Sequence, residues 1–198
     1  MKLSKGWIIL IVVVGVAVLL FAWITGINNN LVTKEEVVNQ AWANVQNVYQ
    51  RRLDLIPNLV NTVKGVANFE KETLTAVIEA RAKATNVQIN PKNLDEASLQ
   101  KFQEAQNGVG SALGRLMVVV EKYPELKATQ NFSELQAQLE GTENRITVER
   151  MKFNESAQTY NTYLRSFPNS MFAGMFGFQK KAYFQAQAGS EKAPEVKF

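Results

Sequence analysis

Glu140 and Glu143 lie in Leu139-Glu140-Gly141-Thr142-Glu143-Asn144-Arg145, and their spacing comes closest to that of a metal-binding motif. Carboxylates three residues apart share one face of a helix, and helical bundles use such groups to hold pairs of iron ions. That chemistry also needs a Glu-x-x-His pair on each of two helices. The chain has no histidine and no cysteine. The usual general base, the usual zinc and iron ligands and thiolate nucleophiles are therefore all missing. Only an all-oxygen site of the calcium or magnesium type would remain, but the two aspartates, Asp54 and Asp95, form no calcium loop. Glu140 and Glu143 are better read as ion-pair partners of Arg145, of Arg150 or of a neighbouring helix. No metal or other cofactor is expected.

Arg51, Arg52 and Asp54 stand just before Pro57 and Asn58 in Gln50-Arg51-Arg52-Leu53-Asp54-Leu55-Ile56-Pro57-Asn58. Two adjacent arginines could bind an anionic ligand. The alternative is structural. A proline inside a helix leaves a backbone carbonyl without its partner, and Asn58, or Asn144 and Arg145 from another helix, could answer that need. No serine sits in a nucleophile elbow, and Gly108-Val109-Gly110 follows no strand, so neither acyl transfer nor a phosphate cradle is indicated. The expectation is a protein that is not an enzyme.

These residues must be positioned by helices, because the chain shows helical periodicity and no sustained β alternation. Trp7 to about Ile24 reads WIILIVVVGVAVLLFAWI without a charged side chain. Eighteen residues make about 27 Å of helix, close to a hydrocarbon core of about 30 Å. Leu10, Val14 and Leu19 face lipid on this reading, and Trp7 and Trp23 lie near the two interfaces. The run is too long for a signal-peptide core and lacks a cleavage site. Residues 1–30 are thus read as a membrane anchor with its juncture. Lys2 and Lys5 precede the span and Lys34 follows it, which favours an extracytoplasmic bundle on the inner membrane of a bacterium.

The net charge of +4 does not indicate nucleic acid, since beyond Lys2 and Lys5 there are 20 basic against 18 acidic side chains, interspersed along helices. Residues 31–167 read as a bundle domain. A helical stripe runs from Val38, Ala41 and Val45 through Ile56, Val60 and Val63, with a kink or break expected near Leu53 to Pro57. Phe102 to Tyr123 forms a second stripe, and its Gly108, Gly110 and Gly114 suggest close helix contact. Asn131-Phe132-Ser133-Glu134 resembles a capping box that opens a third helix, and Pro168 closes it.

Residues 168–185 form an aromatic tail with Phe172, Phe176 and Phe178. It either folds back over the bundle or docks on a neighbour or on membrane, with Lys180 and Lys181 at lipid headgroups. Residues 186–198 have the composition of a disordered end. The fold class is therefore all-α: one N-terminal transmembrane helix, then an antiparallel three- to four-helix bundle with a long, kinked first helix.

Ala41-Trp42-Ala43-Asn44-Val45, the Gln50–Val60 string, Thr62-Val63-Lys64-Gly65 and Glu79-Ala80-Arg81-Ala82 together resemble the N-terminal block of the LemA family. Val119 to Ala128, Leu139 to Ile146, Tyr160-Asn161 and Phe167-Pro168 continue the likeness, which runs from about Leu31 to Phe184. The resemblance implies a single N-terminal span followed by an antiparallel bundle. It supplies no catalytic residue, and the family's magnetosome-associated branch hints at membrane organisation. The expected role is a membrane-anchored helical scaffold that self-associates or organises envelope partners. The alternative is an adaptor or sensor module for a membrane protease or signalling system. The expected partners are the lipid bilayer, other copies of the chain and an envelope protein, but not nucleic acid.

Overall fold

A computed structural model describes residues 5–66, 69–91 and 94–186. Apart from Ala186, the end expected to be disordered lies outside the described residues. Among those described there are six helices and no strand: α1 Lys5–Lys64, α2 Lys71–Thr85, α3 Glu96–Val120, α4 Pro124–Lys127, α5 Gln130–Arg165 and α6 Asn169–Met175. The architecture is a long apolar N-terminal helix that runs directly into a helical bundle.

Helix α1 is 60 residues long, about 90 Å. Its apolar first part is exposed, and burial starts at Ile27 and Leu31. The polar stretch from Thr25 to Asn30 does not interrupt it. Thr25 Oγ1 donates to the Phe21 carbonyl at 2.8 Å, and Asn30 Nδ2 donates to that of Gly26 at 2.8 Å. These back-bonds satisfy the polar side chains on the helix itself. The boundary drawn at residue 30 therefore falls inside a continuous helix.

The helix does not break at Pro57 either; it ends at Lys64, and Gly65 forms the turn. Proline has no N–H for the carbonyl four residues earlier, which is that of Leu53. Arg81 of α2 supplies the donor, its Nε lying 2.9 Å from the Leu53 oxygen. Asn58, Asn144 and Arg145, considered for that task, are instead exposed.

Other boundaries follow local chemistry. The Asp95 carboxylate accepts from the Ser98 N–H at 2.7 Å and caps α3. This bond, foremost among the causes, holds the Asp95 carboxyl below its ordinary range. Helix α5 starts two residues earlier than its capping box suggests, because Thr129 Oγ1, not Asn131, accepts the Phe132 N–H at 3.4 Å. Gly177, two residues beyond α6, closes its end with a φ of 78° that favours a residue without a Cβ. The Phe178 and Gly177 N–H groups close back onto the Ala173 and Gly174 carbonyls at 3.0 and 3.2 Å, the Schellman pattern.

Consecutive long helices run antiparallel. Helix α5 lies along α1, so Trp42 meets Phe153 and Arg52 meets Glu143. Helices α2 and α3 form a second hairpin, and Lys122 near the end of α3 pairs with Glu70 before α2 at 3.2 Å. The core divides in two. One part, near the apolar end of α1, gathers Ile27, Leu31, Trp42, Phe102, Phe153, Tyr160 and Phe184. The other, far from it, gathers Leu53, Leu59, Val77, Leu116, Phe132 and Leu139.

Candidate functional site

The anchor residues Trp7, Leu10, Val14, Leu19 and Trp23 are all exposed, as a lipid-facing segment requires. Among the described residues, α1 is the one helix long and apolar enough to cross a membrane.

The two adjacent arginines separate sharply. Arg51 is exposed, whereas Arg52 is only 4% exposed. A helix turns about 100° per residue, so neighbours in sequence look in different directions. Arg52 reaches the Glu143 carboxylate at 3.0 Å through one terminal nitrogen. Through the other it reaches the Gln106 carbonyl at 2.9 Å and the Gln106 side-chain oxygen at 2.7 Å. Its guanidinium lies 5.1 Å from the Tyr49 ring centre, within cation–π range. Burial, the largest cause, raises the Tyr49 phenol above its ordinary value, and Arg150 and Arg52 oppose it. Arg52 thus ties α1, α3 and α5 together at the junction between the two core halves. With both terminal nitrogens engaged in this way and its Nε buried without a partner, it is an internal tie, not an open anion site.

Most other polar residues of the two motifs stay at the surface, whereas Thr142 is buried and donates to the Gln138 carbonyl at 2.7 Å. Asp54 accepts from Gln50 Nε2 at 2.7 Å, and Glu140 accepts from Gln136 Nε2 at 2.9 Å. Pro57, Asn58, Asn144 and Arg145 are exposed. Among the described residues no group of three or more acidic side chains converges on a metal-sized space.

The close-contact reading of the α3 glycines fails within this chain. A Cβ placed on Gly108, Gly110 or Gly114 would meet nothing within 4 Å, because α3 turns Val109, Leu116 and Val120 to the core instead. Gly110 and Gly114 instead line an open groove of about 370 Å³ with Leu113, Met117, Leu139 and the Arg52–Glu143 pair.

The aromatic tail folds back on its own bundle. Phe172 and Phe178 are half-buried against the aromatic core, and Phe176 is exposed. Beyond α6 the chain continues as an extended strap, residues 178–186, held by α5. Asn161 accepts the Lys181 N–H at 2.9 Å and donates to the Lys181 carbonyl at 2.8 Å. Asn154, seven residues earlier, does the same for Phe184 at 2.9 and 3.0 Å. Each amide serves both backbone groups of one strap residue, as a neighbouring strand would. Tyr160 adds a bond from its hydroxyl to the Gln179 carbonyl at 3.0 Å; its burial pushes the phenol well above the ordinary value.

Lys181 is not at a lipid surface. It is 3% exposed, and its Nζ lies 2.7 Å from Glu35 of α1. A buried ammonium needs such a partner, and Glu35 supplies it where strap and α1 meet. Sequence reading missed Glu35, Gln106, Asn154 and, as the answer to Pro57, Arg81. The seven-residue spacing of Asn154 and Asn161 was the one visible sign of a polar row on α5.

The LemA family profile matches residues 41–198. Magnetosome protein MamQ 1 of Paramagnetospirillum magneticum is 27% identical over 182 residues, covering 82% of this chain and 66% of the relative. The chain thus spans just under two thirds of that relative's length. Protein LemA of Metamycoplasma hominis is 24% identical over 183 residues, covering 92% of this chain and 80% of its own. Magnetosome protein MamQ of Magnetospirillum gryphiswaldense is 36% identical over 87 residues, covering 44% of this chain and 32% of its own. None of these three carries an enzyme's name. With the family profile matching about four fifths of its length, the chain belongs to the LemA family.

Proposed function

We propose that this protein is a membrane-anchored, non-enzymatic scaffold whose bundle self-associates or organises partners at the bacterial cell envelope. The observation that carries the reading is the continuity of α1. One helix provides both an exposed apolar length fit to cross a bilayer and the strut on which both core halves are built. Such a rod holds the bundle at a fixed place above the lipid, which serves contact and spacing. The span, the family and the magnetosome-named relatives support the membrane part of the reading. The charges around the span favour the inner membrane with the bundle outside the cytoplasm.

Energy transfer between two differently labelled populations of the full chain, co-reconstituted in vesicles, tests self-association. The expected result is transfer that persists as lipid dilutes the protein. Transfer that falls to the random-mixing level on dilution, with no partner recovered from envelopes, contradicts the reading.

The open groove between α3 and α5 favours a second reading, an adaptor or sensor module that recognises a peptide of a membrane protease or signalling system. Glu140→Ala separates the two. Glu140 lines the groove and is exposed, so stability is retained in either case, and loss of partner binding with oligomers intact selects the adaptor.

A further inference from the structure

We propose that the segment Phe167–Phe176, centred on α6, is a second membrane contact that lies in the lipid interface beside the foot of the spanning helix. The inference rests on the anchor reading above and adds to it.

Exposed large apolar side chains such as Ile78 and Val118 are scattered singly and need no explanation. Phe167, Met171, Met175 and Phe176 are different. They are 82%, 62%, 80% and 40% exposed within ten residues of chain. Met171 and Met175 are one helical turn apart in α6 and share a face, and Phe167 lies in the turn just before the helix. The opposite side of the segment is fixed to the bundle, with Asn169 and Ala173 buried and Asn169 Nδ2 donating to the Tyr163 carbonyl at 3.0 Å.

The position of this face identifies what covers it. Phe172 packs edge-on against Trp23 with ring centres 6.0 Å apart, and Trp23 is the indole near the bundle-side end of the span. The α6 segment is thereby held at the depth of the lipid–water boundary, where aromatic and thioether side chains are favoured. Charge agrees. From Ser156 to Ala186 the chain has Arg165, Lys180 and Lys181 but no carboxylate. Lys181 is neutralised internally by Glu35, whereas Arg165 and Lys180 are exposed at either flank of the segment. An apolar face flanked by cations suits a surface of anionic lipid.

The absence of cysteine allows a clean test. Met171→Cys and Met175→Cys variants of the full chain, each carrying one nitroxide, are reconstituted in phosphatidylcholine–phosphatidylglycerol vesicles. Their relaxation by lipid-soluble oxygen is compared with that by a water-soluble nickel chelate. Val14→Cys in the span and Met151→Cys, exposed on α5, set the two limits. The expected result is oxygen-dominated relaxation at 171 and 175, on the Val14 side of the scale and opposite to Met151. Nickel access at both positions equal to that at Met151 overturns the proposal while Val14 still reports lipid. Protection from both reagents, with spin–spin broadening between copies, also overturns it by assigning the face to a second protein molecule. Nickel access at Val14 itself overturns the anchor reading, and this proposal with it.

Discussion

Around Trp42 the core is built of rings and closed by a strap; around Leu59 it is mostly aliphatic and walled by helices. In the first region Trp42 lies 5.2 Å from Phe102, 5.6 Å from Phe153 and 6.1 Å from Phe184, ring centre to ring centre. The last of these rings arrives from the strap, more than 140 residues away in sequence. In the second, Leu53, Ile56, Leu59, Val60 and Val63 of α1 meet Val77 of α2, Leu116 of α3 and Leu139 of α5. The difference is one of closure. Helices can bury an aliphatic stripe against one another, whereas the aromatic half has an added wall, the strap. An extended wall brings backbone groups that must be satisfied, and Asn154 and Asn161 do so.

The largest expected effect breaks the aromatic half alone. Phe184→Ala removes a buried ring and loosens the strap, at a cost of about 3–5 kcal/mol. Denaturant unfolding measures the loss. Hydrogen exchange then shows faster amides around Phe153 and Tyr160, with those around Leu139 little changed. Equal loss of protection in both regions would show that the halves unfold as one.

The two buried cations sharpen the comparison. Lys181 is 3% exposed and its partner Glu35 27%, whereas the partner of Arg52, Glu143, is 59% exposed. Glu35→Gln leaves a buried ammonium without its carboxylate and is expected to cost about 3 kcal/mol. Glu143→Gln removes a half-solvated partner while Gln106 still serves Arg52, and about 1 kcal/mol is expected. Thermal or denaturant unfolding of the two variants gives the order directly.

A smaller effect belongs to the aliphatic half. Arg81→Ala orphans the Leu53 carbonyl and costs about 1–2 kcal/mol. Pro57→Ala restores an N–H to that carbonyl, so Arg81→Ala should cost less in the Pro57→Ala background. An additive double-mutant cycle would contradict the pairing of Arg81 with the proline.

The smallest effect appears only in alkali. The phenols of Tyr49 and Tyr160 are both raised in the folded chain, chiefly by burial. Unfolded tyrosine ionises near 10, so the stability these groups contribute is intact below that pH and lost as pH rises above it. The tyrosinate absorbance that Tyr49→Phe and Tyr160→Phe variants lack should appear only together with unfolding. Its appearance at the ordinary value in the folded chain would contradict their burial.

What could be read from the sequence follows the same division. The apolar run of α1, the stripes of α1, α3 and α5 and the stop at Pro168 depend on neighbours within one or two turns, and such patterns are local. The placing of Pro57 was legible and its consequence was not, because the donor that rescues Leu53 lies 28 residues away. Arg51 and Arg52 looked equivalent as residue types, and only the rotation of α1 against α3 and α5 buries one of them. The strap was harder still. Its polar Lys181 suggested a surface, since nothing nearby in sequence announces Glu35. Gly110 and Gly114 misled in the other direction, since small residues permit a close approach without requiring one.

Chemical cross-linking of the full chain in intact envelopes, followed by mass mapping, tests the scaffold reading most directly. The account predicts links between copies, or to a reproducible membrane partner, that cluster along the outer faces of α3 and α5 beside Gly110 and Gly114. A product that stays monomeric at every density, with links only inside one chain, would contradict it.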